Sequence, residues 1–273
     1  MYNTVDAALL LIDAVWQYYQ RTRDTAFVQE AWPVMKRIIS AYRCGTQHNI
    51  GMDSDGLIHA GKDLDQVTWM DVRIENILPT PRHGKPVEIN AYWYNALKVM
   101  EMLAPIASAE GEDFAALAQK VKESFLKAFY MPQKGYLKDV LSGTCADEQI
   151  RCNQVWVLSM SFTMLPHEWE VKVMKTLREH LLTPCGLRTL SPEDMQYHPF
   201  YGGDQLKRDM AYHQGTTWAF PLGAYYRAVL KFIREQEFAE KAEWKQHVAD
   251  GMKALHDWLV EGCVAQIAEI YDG

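Results

Sequence analysis

Asp71 closes the run Thr68-Trp69-Met70-Asp71, which sets a carboxyl two residues from an indole. An apolar neighbour withdraws a carboxyl from water and favours its protonated form, the form that can hand a proton to a leaving oxygen. Cleaving a glycosidic bond takes such an acid together with an ionised carboxylate that activates water or attacks the anomeric carbon. A little further on, Glu88, Asn90, Tyr92, Trp93 and Tyr94 crowd together. Carboxylate, amide and aromatic ring are the parts that stack on a sugar and fix its hydroxyls. Each also has a plainer reading. An Asp after Trp-Met is more often a helix cap or a surface charge, Glu88 at a helix start could complement the dipole there, and most of the 9 Trp and 14 Tyr must be core.

The elements that hold these residues are helical. Val5, Leu9, Ile12, Trp16 and Tyr19 recur at helical spacing behind Asn3 and Asp6. A second helix is expected over 25–42, with a kink or short break at Pro33. Others are expected over 87–103, 113–129, 153–164, 166–182, 213–233 and 238–259, ahead of a non-helical tail over 261–273. Helix should take about two thirds of the chain, with short strands only in the connections 45–86 and 183–212. Asp53-Ser54-Asp55-Gly56 lacks the ligand spacing and closing Glu of a calcium loop, so a tight turn between two short strands is expected there.

Short and long links alternate between these eight helices, and short links imply antiparallel neighbours. All the long connections then gather at one end of a bundle of helical hairpins. Hairpins set side by side close into an α/α toroid around a central cavity, so that end is the expected site. The connection over 45–86 is about forty residues, long enough to be functional inside a compact domain.

Composition narrows the partner. The 273 residues are 48% hydrophobic and 23% charged, as in ordinary globular proteins, and the net charge of −7 comes without any Lys/Arg-rich run. Neither nucleic acid nor an anionic membrane suits that balance. Residues 1–6 do not resemble a signal peptide and Asp13 ends the apolar run 7–12, which reads as a cytoplasmic chain. Cys44, Cys145, Cys152, Cys185 and Cys263 form no CxxC pair, so reduced thiols are expected rather than disulfides or zinc. No metal or cofactor is called for, and the absence of a DDxxD-type cluster argues against a terpene cyclase or prenyltransferase.

Several runs carry a resemblance: Thr68-Trp69-Met70-Asp71, Thr80-Pro81-Arg82-His83-Gly84-Lys85-Pro86-Val87-Glu88-Ile89-Asn90, Arg151-Cys152-Asn153-Gln154, Gly186-Leu187-Arg188-Thr189-Leu190, Arg208-Asp209-Met210-Ala211-Tyr212-His213-Gln214-Gly215-Thr216 and Glu269-Ile270-Tyr271-Asp272-Gly273. In this order they resemble the amylo-α-1,6-glucosidase domain of the glycogen debranching enzyme family. The resemblance implies an all-α (α/α)6 toroid and an inverting glycosidase acting on α-1,6 branch points of glycogen or limit dextrin. It implies Asp71 as general acid and Glu269 as general base. Substrate-binding roles are expected for Asp6, Trp69, Glu88, Asn90, Trp93, Arg151, Asn153, Gln154, Arg188, Asp209, His213, Gln214 and Trp218. A six-hairpin toroid needs twelve helices, so 1–273 reads as one toroid domain cut at both ends, with Glu269 loosely held near the terminus. A non-catalytic glucan-binding module is the alternative.

Overall fold

The protein is described by a computed structural model that covers residues 3–109, 113–235, 240–260 and 265–273. Its helices, among the described residues, are α1 (Ala7–Thr22), α2 (Thr25–Cys44), α3 (Val87–Leu103), α4 (Phe114–Phe129), α5 (Val155–Ser159), α6 (His167–Thr176), α7 (Gln205–Ala211), α8 (Phe220–Glu235) and α9 (Lys241–Trp258). Short strands fill the connections: β1 (Gly51–Met52), β2 (Ile58–His59), β3 (Lys85–Pro86), β4 (Tyr130–Met131), β5 (Tyr136–Leu137), β6 (Val140–Ser142), β7 (Cys145–Asp147), β8 (Leu182–Thr183), β9 (Gly186–Arg188), β10 (Thr217–Trp218) and β11 (Ile270–Tyr271). All pairings are antiparallel, in the orders β1-β2, β3-β6-β7, β4-β5 and β11-β10-β9-β8.

The outer helices follow their apolar spacing. In α2, Val28, Trp32, Met35, Ile39 and Tyr42 are buried at intervals of three or four, one stripe on the core. Asp24 starts α2 by accepting the Phe27 N–H at 2.9 Å, and Asp113 starts α4 from Ala116 at 2.8 Å. Central helix α3 differs, because nearly every side chain on it is buried, including Glu88, Asn90 and Asn95. Such a helix is tolerated only if each polar group finds a partner. Asn95 donates to Asp13 at 2.9 Å and accepts from the Phe162 N–H at 3.0 Å.

Several boundaries depart from the sequence reading. About half of the chain is helical rather than two thirds, and strands also occur over 130–147 and at β10 and β11. α2 runs through Pro33 without a break. The helix expected over 153–164 ends at Ser159, because Asn95 captures the Phe162 N–H and Lys231 Nζ donates to the Met160 carbonyl at 3.1 Å. The helix expected over 166–182 leaves α-geometry after Thr176 in a wider turn, Leu177–Leu181. Residues 213–219 are not helical; β10 pairs there with β9 and β11, and α8 starts only at Phe220. The expected start at residue 238, part of the link around 108–111, residues 261–264 of the tail and Cys263 lie outside the described residues. The other four cysteines are free.

The long connections touch one another. β3 pairs with β6, Ser191 N–H donates to the Ile150 carbonyl at 3.0 Å, and Gln214 Nε2 donates to the Pro79 carbonyl at 2.8 Å. Gly84 sits at one such crossing with φ +114, and a Cβ there would lie 2.1 Å from the Leu141 carbonyl oxygen. Backbone strain and overlap add, so Gly84→Ala is expected to lower stability by about 2–4 kcal/mol. Denaturant unfolding tests this; an unchanged midpoint would mean the crossing gives way freely.

Candidate active site

Asp71 is gripped by backbone. Its Oδ2 accepts N–H bonds from Val67 at 2.9 Å and Thr68 at 2.7 Å, and its Oδ1 accepts one from Arg82 at 3.2 Å. Backbone amides thus face both carboxylate oxygens, and the Trp69 ring two residues earlier has partners of its own. Its Nε1 donates to Asn153 Oδ1 at 2.8 Å, and its ring meets His213, Trp218 and Phe220 edge-on, with centroids at 5.2, 5.4 and 4.8 Å. Phe220 is 47% exposed. Trp156 stacks on its other side at 5.8 Å. The result is an aromatic floor with part of its surface open.

Behind Trp69 runs a buried polar chain. Asn153 Nδ2 donates to Asp139 Oδ1 at 2.8 Å, and Arg82 Nε donates to Asp139 Oδ2 at 2.9 Å. Arg82 then clasps both carboxylate oxygens of Glu88, the second at 2.7 Å. Burial would lower the Arg82 pKa, yet Asp139 and Glu88 hold it well above the usual arginine value. Burial pushes the Glu88 carboxyl up to about 7, against the opposing pull of Arg82. One cation thus serves two buried carboxylates, and its own backbone N–H helps to hold Asp71.

His213 is 2% exposed, and neither ring nitrogen makes a hydrogen bond of normal geometry. Burial drives its pKa down to about 3, with the nearby Met70 carbonyl opposing only in part. At neutral pH the ring is therefore uncharged and carries one donor and one acceptor. Arg151 fixes the segment by donating to the His213 carbonyl at 2.9 Å and to Gln214 Oε1 at 2.8 Å.

The Glu269 segment reaches this floor through β11. Register pairs Trp218 with Ile270, and the Ala219 N–H donates to the Glu269 carbonyl at 3.4 Å. The Glu269 side chain is exposed and accepts a bond from Tyr212 Oη at 3.4 Å, while the Tyr212 ring packs on His213 at 4.6 Å and Trp218 at 4.9 Å. The loosely held tail expected from sequence is instead tied down: Gly273 N–H donates to the Pro199 carbonyl at 2.8 Å and Tyr201 N–H to Asp272 Oδ1 at 3.2 Å.

The structure thus gathers Trp69, Asn153, Arg151, His213, Gln214, Trp218 and, through Tyr212, Glu269 around Asp71's turn. Asp6 stands beside it, since Val5 N–H donates to the Val67 carbonyl at 2.9 Å. Asp209 lies near enough to Tyr212 to join burial and Glu269 in raising that hydroxyl's pKa. Other expected sugar contacts are corrected. Trp93 is core, stacked on Tyr42 with its Nε1 bonded to the Gly56 carbonyl at 3.0 Å. Asn90 pins β2 to α3 through Ile58 and the Pro86 carbonyl. Glu88, at 0% exposure, has both oxygens taken by Arg82. Gln154 is spent on the Leu137 N–H and the Arg151 carbonyl. Arg188 pairs across from Thr217, on the sheet face opposite Trp218, and among the described residues its Nε has no hydrogen-bond partner. Sequence reasoning passed over Tyr212 and Arg82, although both lie within quoted motifs. It also passed over Asp139 and Phe220, for which only the fold supplies a signal.

Among the described residues no group of three His, Cys, Asp or Glu could hold a metal ion, and no helix is long and apolar enough to cross a membrane.

The backbone as a whole is shared with larger solved structures. It superposes on a structure titled sialidase with a TM-score of 0.72 at 14% identity, covering 96% of this chain and 23% of that one. A Klebsiella oxytoca rhamnosidase with rhamnose bound gives 0.57 at 15% identity, over 98% of this chain and 41% of that one. A GH78 family rhamnosidase of Bacillus sp. GL1 gives 0.58 at 16%, over 96% and 22%. At such identities the likeness concerns the fold alone. The family model described as amylo-alpha-1,6-glucosidase matches residues 1–273, and the chain belongs to that family of glycosidases. It is also 28% identical over 268 residues to the glycogen debranching enzyme of Saccharomyces cerevisiae, covering 80% of this chain and spanning only 17% of that relative.

Proposed function

We propose that this chain is a glucosidase unit that hydrolyses α-1,6-linked glucose at branch points of glycogen-like glucans, with inversion at the anomeric carbon. Asp71 is the general acid and Glu269 the general base, within a domain that contributes helices to an (α/α)6 toroid. Trp69, His213 and Trp218 cradle the sugar, with Asp6 and Asp209 beside them, while Arg151, Asn153 and Gln214, buried and hydrogen-bonded within the protein, position that floor. The observation that carries this reading is the unbroken series Glu269–Tyr212–Trp218–Trp69, which ends two residues from Asp71. Two carboxyl-bearing segments flank one aromatic floor, as attack on opposite faces of a sugar requires. The substrate is neutral, in keeping with a net charge of −7, and the setting is cytoplasmic, without nucleic-acid or membrane partners. Acid/base hydrolysis by two carboxyls needs no cofactor, so a chelator should leave the rate unchanged.

Glucose released from a branched limit dextrin, observed first as the β-anomer by proton NMR, is the expected result; initial α-glucose would overturn inversion. One observation favours a second reading, a non-catalytic glucan-binding module: a single 3.4 Å bond to an exposed Glu269 is a light hold for a general base. Binding of maltooligosaccharide without glucose release would select it.

A further inference from the structure

Beside Glu269 the connection between β9 and α7 turns outward and exposes two consecutive aromatic residues. Phe200 is 73% exposed and Tyr201 36%. Burial of either ring would be favourable, and among the described residues no aromatic ring packs on Phe200. The loop beneath is nonetheless firmly anchored. His198 N–H donates to the Gln214 carbonyl at 2.6 Å, the Pro199 carbonyl accepts from Gly273, and Tyr201 N–H is held by Asp272. Turn 212–215, the β11 tail and this loop therefore form one unit, so the rings keep a fixed relation to Glu269. The Tyr201 ring lies 5.4 Å from that of Tyr212, whose hydroxyl bonds Glu269.

Gly202 follows directly. It lacks a positive φ, and a Cβ built there would meet nothing within 4 Å. Neither backbone geometry nor packing asks for glycine at this position. What its missing side chain provides is open space beside the rings. An exposed aromatic ring next to open space at Gly202, with the Asp272 carboxylate on the Tyr201 N–H, matches a sugar, which presents a C–H face and a rim of hydroxyls.

We propose that Phe200 and Tyr201, with the open backbone at Gly202, form a shelf that binds an α-glucan chain beyond the glucosyl unit at the candidate active site. The inference rests on the glycosidase reading for its substrate class and extends it to residues outside the catalytic floor. It makes chain length, rather than the terminal glucose, the quantity the shelf reads.

Binding of maltoheptaose to the full chain tests it, measured by calorimetry beside the glucose-sized probe 1-deoxynojirimycin. Phe200→Ala removes the ring, and Gly202→Val fills the free space at a position without a positive φ. Both variants should bind maltoheptaose about five- to tenfold more weakly, the range expected for one lost ring contact. Both should keep wild-type affinity for 1-deoxynojirimycin and the wild-type melting temperature. Equal maltoheptaose affinity in wild type and both variants overturns the shelf and leaves these rings to a protein contact. Failure of the wild type to bind maltoheptaose at millimolar concentration overturns it too. Absence of glucose release from limit dextrin, with the binding differences intact, would refute the hydrolase reading and leave the shelf standing.

Discussion

Asp71→Asn should cut glucose release from limit dextrin by about 10²–10⁴-fold, the usual worth of a general acid, while a part of the turnover of α-glucosyl fluoride survives. Fluoride departs with little protonation, so losing the acid costs that substrate less, whereas Glu269→Gln removes the activated water and should abolish both reactions. The local geometry adds a control. Oδ2 of Asp71 takes two backbone N–H groups and Oδ1 a third. An Asn oxygen can replace Oδ2, but its NH2 would then face the Arg82 N–H, donor to donor. That mismatch is worth about 1–3 kcal/mol, so the variant should also melt earlier, and rates must be referred to the folded fraction. Full dextrin activity in a folded Asp71→Asn protein would remove Asp71 from the mechanism and assign the acid to another carboxyl.

How much of this was legible beforehand depended on range. The turn of Asp71 could be located because its contacts fall within a few residues, and the strand-flanked turn at 53–56 likewise carried its own signal. Arg82 and Asp139 stand 57 residues apart, and no local pattern announces such a pair. The misreading of Glu88, Asn90 and Trp93 has a different cause. Their helix is apolar on every side, with Val87, Ile89, Ala91, Ala96 and Leu97 around the polar positions, and a helix hydrophobic all round is buried. Polar residues on it serve internal partners, not a ligand. Residues 213–219 scan as a helix continuing into α8, yet β9 and β11 claim Thr217 and Trp218 from sequence positions on both sides. Tertiary pairing overrode local propensity there, and it is what turned Trp218 toward Trp69.

The largest effect on stability is expected from Arg82→Met. Met fills much the same space as the arginine stem but leaves Glu88 and Asp139, 0% and 2% exposed, without their cation. Breaking a buried pair from one side costs about 3–5 kcal/mol, a large share of the roughly 5–15 kcal/mol that holds a domain folded. The loss should depend on pH in a defined direction. In the wild type, burial already lifts the Glu88 pKa to about 7, above its ordinary 4.5, with Arg82 pulling the other way. A carboxyl raised on folding binds more protons in the native state between those two values. Its stabilising contribution is complete below about 4.5 and lost as pH climbs through about 7. Without Arg82, which pulls the Glu88 pKa down, that lift grows. The variant should therefore be weakest at alkaline pH and regain stability on acidification toward pH 5, as the orphaned Glu88 carboxyl takes up a proton. Glu88→Gln on the Arg82→Met background should recover part of the loss even at high pH, because one buried charge has gone; that recovery is the coupling a double-mutant cycle reads. Urea midpoints measured across the pH range for wild type, both single variants and the double decide the matter. An Arg82→Met protein as stable as wild type, or one that weakens on acidification from pH 8, would mean that the two carboxylates find another cation or reach water when the guanidinium is removed.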